Sequence, residues 1–316
     1  MLFSNLQELV PYTFSSDREI ANALKELSEG FTTRRDKIGK YVLSDKLISA
    51  YALYYFPTNA QKFNALISHL PSDLVEQITR RPFIDFGCGP GTYSYAFSQL
   101  STHGSVKLVE SSSKMLSLAR KVLNCTDISF SSHKDICEID DANSTLFFGN
   151  SFNELSYDLQ KSILERTSAD CIIFIEPGTK ASFHSIISFH DLLMSRGYIV
   201  NYPCRGAESI CPMIGTDDWC HQIVNSDLSV ELQRLSQMAA IDRRRMPVVM
   251  RVYSKHSHNQ NGSLIFQELG VNKHSLRYKI CNESRVIKII EEKISHLKKK
   301  EVKSLKLKRN QGQILD

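Results

Sequence analysis

The first eighty residues alternate apolar and polar positions with a helical period. Ile20, Ala23, Leu24 and Leu27 recur three and four apart behind Ser16-Asp17, which predicts a helix closed by Gly30. A second helix is expected over residues 47–56, ending at Pro57, and a third over 60–70, before Pro71-Ser72-Asp73 opens another. From Arg81 the period changes to short apolar runs at 82–86, 106–110, 128–130, 145–148, 171–175 and 198–201, with helix-length stretches such as 113–123 between them. Strands alternating with helices imply βαβ units, so the expected fold is α/β and Rossmann-like, with a mostly parallel sheet. After Pro203 the period breaks into an irregular loop reaching His221, followed by a helix at 228–240 and a strand at 248–253. The runs 264–268 and 276–281 read as a β-hairpin. The chain therefore divides into a helical N-terminal region (1–80), an α/β core (81–202), an insertion with C-terminal strands (203–284) and a tail (285–316).

Composition narrows the class. With 316 residues, 42% apolar and 23% charged, the chain is globular with a sizeable core, not disordered or fibrous. No apolar run approaches the ~18 residues of a membrane span. The first residues lack a basic stretch and include Glu8, Asp17 and Glu19, so neither a signal peptide nor a transit peptide is expected. The net charge of +5 is unevenly placed: ten basic residues against three acids between Arg285 and Arg309 give +7, and residues 1–284 carry −1. A basic tail of this kind contacts nucleic acid through phosphates, the alternative being a solvated helix end. Arg243-Arg-Arg245 offers the same two readings.

Asp85-Phe-Gly87-Cys-Gly89-Pro-Gly91-Thr92 follows a predicted strand directly. Alternating glycines let the backbone turn tightly and approach a ligand that a Cβ would exclude. The spacing is G-x-G-x-G rather than the G-x-G-x-x-G of dinucleotide sites, and it resembles the first motif of class I S-adenosylmethionine-dependent methyltransferases. Glu110 lies at the end of the next strand, where an acid accepts ribose hydroxyls, and Asp135 follows the third. The cofactor-binding set expected is therefore Asp85, Gly87, Gly89, Gly91, Glu110 and Asp135. Residues 148–155 contain no Pro-Pro-aromatic unit of the amino-methyltransferase kind, and no catalytic base or nucleophile emerges.

Eight cysteines without a secretion signal suit a reducing compartment. Cys88, Cys125, Cys137 and Cys171 are scattered and read as packing residues. Cys204, Cys211 and Cys220 fall within one Pro-punctuated loop, and Cys281 in the hairpin offers a fourth thiolate. No pair forms the tight knuckle usual in zinc sites. Three clustered thiolates and one distant thiolate fit a [4Fe–4S] cluster, the alternatives being unrelated free thiols or zinc, for which His221 could substitute as a ligand.

Several segments in order, Ala50-Tyr-Ala-Leu-Tyr-Tyr-Phe-Pro57-Thr-Asn59, the glycine loop, Asn153-Glu-Leu155, Ile175-Glu-Pro-Gly-Thr179 and Cys211-Pro to Asp218-Trp-Cys-His221, resemble the ribosomal small-subunit methyltransferase-like family. That family includes a mitochondrial small-subunit assembly factor and bacterial relatives, and the resemblance runs over about residues 45–285. It implies a class I methyltransferase core, a [4Fe–4S] cluster on Cys204, Cys211, Cys220 and Cys281, and association with the small ribosomal subunit near its RNA. The segment Cys204-Arg-Gly-Ala-Glu-Ser-Ile-Cys211 departs from the family pattern in lacking a His and a second Pro and in being one residue longer. A cytoplasmic location is expected, with the mitochondrial matrix as the alternative.

Overall fold

The computed structural model describes residues 2–32, 44–204, 211–256 and 262–315. The N-terminal region holds α1 (Leu2–Leu9), α2 (Asp17–Thr32), α3 (Asp45–Ile67) and α4 (Ser72–Arg80). Two expectations need correcting here. Helix α2 runs two residues past Gly30, and α3 is one helix of 23 residues with Pro57 inside it. A proline costs a helix interior about 3 kcal/mol. Here Ile48, Ala52, Phe56, Phe63 and Leu66 are all fully buried along α3, each gaining about 1.5–3 kcal/mol relative to exposure, so packing outweighs the break. Thr58 Oγ1 also donates to Tyr54 O and Tyr55 O, each at 3.2 Å, and Gln61 Nε2 donates to Pro57 O at 3.3 Å.

The core then alternates as the sequence predicts: β1 (Phe83–Phe86), α5 (Thr92–Ser98), β2 (Ser105–Val109), α6 (Ser113–Leu123), β3 (Ser129–His133), β4 (Thr145–Gly149), α7 (Tyr157–Arg166), β5 (Cys171–Pro177), α8 (Lys180–Ile187), α9 (His190–Ser195) and β6 (Ile199–Tyr202). It continues through β7 (Gln222–Asn225), α10 (Val230–Ala239) and β8 (Arg245–Ser254). The sheet order is β3-β2-β1-β4-β5-β8-β6, with β7 also on β8. The pairs β3–β2, β2–β1, β1–β4 and β4–β5 are parallel, whereas β8 is antiparallel to β5, β6 and β7. This is a mixed α/β, Rossmann-like architecture with a mostly parallel central sheet.

Strand β8 is the long spine of the far side. One edge pairs with all of β5, while the other takes β6 at Val252–Ser254 and β7 at Arg245–Val248. The cysteine-bearing loop therefore leaves the sheet after β6 and returns to the same strand as β7.

A second, antiparallel sheet follows, in the order β11-β10-β9-β12, from β9 (Ser263–Val271), β10 (Ser275–Cys281), β11 (Ile287–Lys293) and β12 (Ile314–Leu315). The β9–β10 hairpin is as expected. The tail is not a separate extension: β11 and β12 belong to this sheet, and α11 (Lys299–Lys308) connects them. Its end is docked, with Asn310 Nδ2 donating to Ile223 O, Gln311 Nε2 to His221 O and Tyr202 OH to Gly312 O. Among the described residues no helix is long and apolar enough to cross a membrane.

Candidate functional site

A chamber of about 1690 Å³ opens at the carboxyl ends of β1, β2, β4 and β5, walled on its remaining side by α3. Ligand sites of open α/β sheets gather there because loops diverge from the strand ends. The three glycines have distinct tasks. All are left-handed, at φ +68° (Gly87), +53° (Gly89) and +81° (Gly91). A Cβ on Gly87 would lie 2.5 Å from Ser151 Cβ, and one on Gly91 would lie 3.2 Å from Ala119 of α6, so both allow protein to pack on protein. A Cβ on Gly89 would meet nothing within 4 Å, because this glycine faces the chamber. Gly91 packs on α6 and is not among the residues that line the chamber.

Asp85 stands behind the loop. It is fully buried and absent from the chamber wall. Its Oδ2 accepts from Ser94 N at 3.1 Å and Ser94 Oγ at 2.6 Å, which clamps β1 to α5 behind the loop. Burial pushes its carboxyl up to about 7. Glu110 and Asp135 do line the chamber. Glu110 accepts from Gly89 N at 2.9 Å and Ser112 N at 2.8 Å, and Asp135 caps the turn after β3 by accepting from Cys137 N at 2.9 Å.

The segment 175–179 acquires a physical explanation. Glu176, fully buried, accepts from Ser151 N (2.9 Å), Phe152 N (2.8 Å) and Asn153 Nδ2 (2.8 Å), fixing the loop after β4, and burial pushes its carboxyl up to about 8. Gly178 lets β8 approach, since a Cβ there would lie 2.5 Å from the Pro247 backbone. Thr179 caps α8.

Other chamber residues were not singled out by sequence reasoning. Tyr51, Tyr55, Asn59 and Lys62 share one face of α3, at intervals of four, four and three. The rings of Tyr51 and Tyr55 stack with centroids 5.2 Å apart. Arg243 lies over Tyr55, 5.0 Å from its centroid, and donates to Asn59 Oδ1 at 2.5 Å. Lys62 is 5% exposed, with Nζ 3.5 Å from Asn150 Oδ1, and Asn150 Nδ2 donates to Tyr93 OH at 2.9 Å. Burial, reinforced by the charge of Arg243, pushes the Lys62 ammonium well below its ordinary value. The available signal was the four-residue spacing, hidden once Pro57 is taken to split the helix.

The neighbouring arginines serve other contacts: Arg244 pairs with Asp242 at 2.7 Å and Arg245 with Glu268 at 3.0 Å. Arg244 and Arg245 are thus ion-paired within the protein, whereas Arg243 is held against the chamber wall by Asn59 and Tyr55. The solvated cations are on α11, where Lys299, Lys300, Lys303, Lys306 and Lys308 are exposed and enter no ion pair among the described residues.

Cys204, Cys211, Cys220 and Cys281 line one small cavity of about 20 Å³ at the seam of the two sheets, with Met213, Leu264, Phe266 and Arg285. Residues 205–210, where the chain departs from the family pattern, lie outside the described residues. Among the described residues no group of three or more His, Cys, Asp or Glu converges as a site for a single metal ion. His221 is not part of this cavity; it stacks on Trp219 with centroids 5.3 Å apart. Arg251, at 1% exposure, places Nη2 3.5 Å from Cys204 Sγ. No carboxylate pairs with it among the described residues, and its Nε has no hydrogen-bond partner there. A buried cation is costly unless a negative group compensates it. Burial alone would lower its proton affinity, yet Tyr253 and the thiols of Cys204, Cys211 and Cys220 raise it overall. Of the four cysteines read as packing residues, Cys88 and Cys171 are buried, whereas Cys125 and Cys137 are exposed.

Among solved structures, the chain resembles a protein of Pyrococcus horikoshii described as a candidate RNA methyltransferase (14% identity, 63% of this chain and 84% of that one, TM-score 0.41). It also resembles the magnesium protoporphyrin IX methyltransferase of Synechocystis (12%, 78% and 100%, 0.42) and a precorrin-6y C5,15-methyltransferase of Geobacter metallireducens (14%, 58% and 87%, 0.37). These likenesses are too distant to carry ligand or reaction across. No curated protein matches the chain significantly. A family model, described as mitochondrial small ribosomal subunit Rsm22, matches residues 46–289. That span takes in the α3 wall, the glycine loop and all four cysteines of the seam, and the chain belongs to the Rsm22 family.

Proposed function

We propose that the protein is an S-adenosylmethionine-binding, methyltransferase-like factor of the small ribosomal subunit that carries a [4Fe–4S] cluster and contacts ribosomal RNA. The observation that carries the cofactor reading is Gly89, left-handed and open to the chamber, with Glu110 bound to its N–H. The family description supports the small-subunit association and favours the mitochondrial matrix over the cytoplasm expected from the sequence.

The chamber residues fit the cofactor in chemistry as well as space. Glu110 and Asp135 offer carboxylates for ribose and adenine, and the cradle at Gly89 accepts the methionine portion. The bound cofactor supplies an electrophilic methyl group. The chain's own contribution is positional: Asp85 clamps the loop to α5, and Glu176 holds the turn after β4 rigid.

At the seam, a resident group must satisfy two conditions: it must bind four cysteines and compensate Arg251. A zinc ion would need all four sulfurs about 2.3 Å from one point. A cluster spreads its thiolates over four irons, and the four cysteines that would hold it line one cavity at the seam. Thiolates around a cluster also supply the negative charge that Arg251 lacks. Ribosomal RNA contact is assigned to the exposed lysines of α11.

Calorimetric titration with S-adenosylhomocysteine tests the cofactor reading. The wild type should bind, and Gly89→Val, which fills the cradle, should weaken binding at least tenfold. Folded wild-type protein that binds neither this ligand nor S-adenosylmethionine contradicts the reading. Transfer of labelled methyl groups to isolated small subunits then distinguishes an active enzyme from a binding factor.

A further inference from the structure

The acids that suit a cofactor occupy only part of the chamber. Glu110 and Asp135 stand at the ends of β2 and β3, whereas the α3 wall presents two stacked tyrosines, an arginine and a buried lysine. This wall has features a cofactor site does not require. Tyr51 stacks on Tyr55, 26° from parallel, and Arg243 lies over Tyr55, so Tyr51 is the ring left to offer a face to the chamber. The Nε of Arg243 is unsatisfied among the described residues. At the inner end Lys62 and Asn150 form a donor–acceptor pair, 3.5 Å apart, and no ion pair includes Lys62 among the described residues. Glu154 and Glu176 also face this space, but Glu176 is spent on backbone N–H groups and burial pushes the Glu154 carboxyl up to about 7.

We propose that this wall is a second subsite, which takes one unpaired nucleotide of a single-stranded RNA. The base stacks on Tyr51, which Tyr55 backs, the phosphate meets Arg243, and Asn150 with Lys62 reads the base edge. The proposal rests on the cofactor reading of the other half of the chamber and goes beyond it by naming the acceptor class. Three physical arguments favour a nucleotide over a protein side chain. Aromatic surfaces bind bases by stacking, worth about tenfold or more per base. A guanidinium beside such a surface is suited to phosphate. A lysine or arginine of a protein acceptor would enter between Arg243 and Lys62 and be repelled by any charge they carry. Lys62 carries its ammonium at a cost in this buried position, and its free amine both donates and accepts a hydrogen bond, as a base edge requires. A nucleotide in this wall must leave its helix, so loops and ends of RNA are the expected source.

The test uses full-length protein saturated with S-adenosylhomocysteine and a uridine tetranucleotide containing one 4-thiouridine. Photo-crosslinking followed by peptide mapping should locate the adduct within residues 51–62 or at Arg243. Tyr51→Ala and Arg243→Gln should each weaken tetranucleotide binding about tenfold while leaving S-adenosylhomocysteine affinity within about twofold. That unchanged affinity also shows that each variant is folded. Adducts confined to the lysines of α11, or a lysine-rich peptide that displaces the tetranucleotide from this wall, overturn the proposal. If S-adenosylhomocysteine does not bind the wild type, the cofactor reading fails on its own, and the same crosslinking without it still decides the nucleotide subsite.

Discussion

The glycine-loop chamber and the cysteine seam are built on opposite plans. The chamber encloses about 1690 Å³ and is lined by charged, polar and aromatic side chains. The seam leaves about 20 Å³ between cysteines, Met213, Leu264 and Phe266. One has room for ligands that come and go. The other is a tight cavity beside Arg251, a buried arginine with no carboxylate partner among the described residues; on the proposed reading a resident cluster balances its charge. On the proposed reading the chamber is an exchange site and the seam a resident one: emptying the chamber should alter binding, whereas emptying the seam should alter folding.

The largest effect expected from this contrast is at the seam. Cys220→Ser should abolish iron retention and cost about 3–5 kcal/mol of stability in anaerobic denaturant titrations, because Arg251 is left uncompensated. At temperatures where the variant remains folded, S-adenosylhomocysteine affinity should change far less. Equal losses at both sites would collapse the contrast.

Asp85 sharpens the chamber side. Its pKa is raised on folding, so the folded state holds the proton more tightly than the unfolded chain. Stability is therefore fully present below the ordinary value of 3.8 and falls as pH rises through about 7. The cost over that window is about 4 kcal/mol, and Asp85→Asn should remove this part of the pH dependence. Glu176, raised to about 8, retains its own contribution. A wild type whose stability is flat from pH 4 to 8 would show that neither carboxyl holds its proton.

A smaller effect separates the glycines. Gly91→Val should destabilise by about 2 kcal/mol through backbone strain and crowding against Ala119. Gly89→Val pays a similar strain and loses ligand as well, so its ratio of binding loss to stability loss should be the greater. The smallest effect on stability is expected from Lys303→Glu with Lys306→Glu on exposed α11, within about 0.5 kcal/mol. This pair should nevertheless weaken binding to ribosomal RNA and reduce its salt slope by about two. Charge reversal is the appropriate variant because deleting the segment would strip β11 and β12 from the second sheet.

Much of the core was legible because its strands are continuous apolar runs that no turn residue interrupts, as in Cys171-Ile-Ile-Phe-Ile175. Pro57 misled because local propensity argues for a break that buried packing on both sides overrides. The C-terminal segment misled for the opposite reason. In Ile287-Lys-Ile-Ile-Glu-Glu-Lys293 the charges conceal an edge strand whose exposed face tolerates them. Among the candidate residues, glycine spacing exposed the loop but not the division of labour between Gly87, Gly89 and Gly91, which depends on what lies opposite each. The four cysteines were legible by type and clustering. Arg251 and Lys62 were not, and Arg243 was visible only as part of a basic triplet, since each acquires its place from residues brought near only by the sheet and by α3.

The most direct measurement is iron, sulfide and zinc analysis of anaerobically purified protein, taken with its visible absorption spectrum. About four irons and four sulfides per chain, with a broad brown absorbance lost in Cys220→Ser, is the expected result. A colourless protein with one zinc per chain, or one stable without any metal, would contradict the account of the seam as the home of a resident cluster.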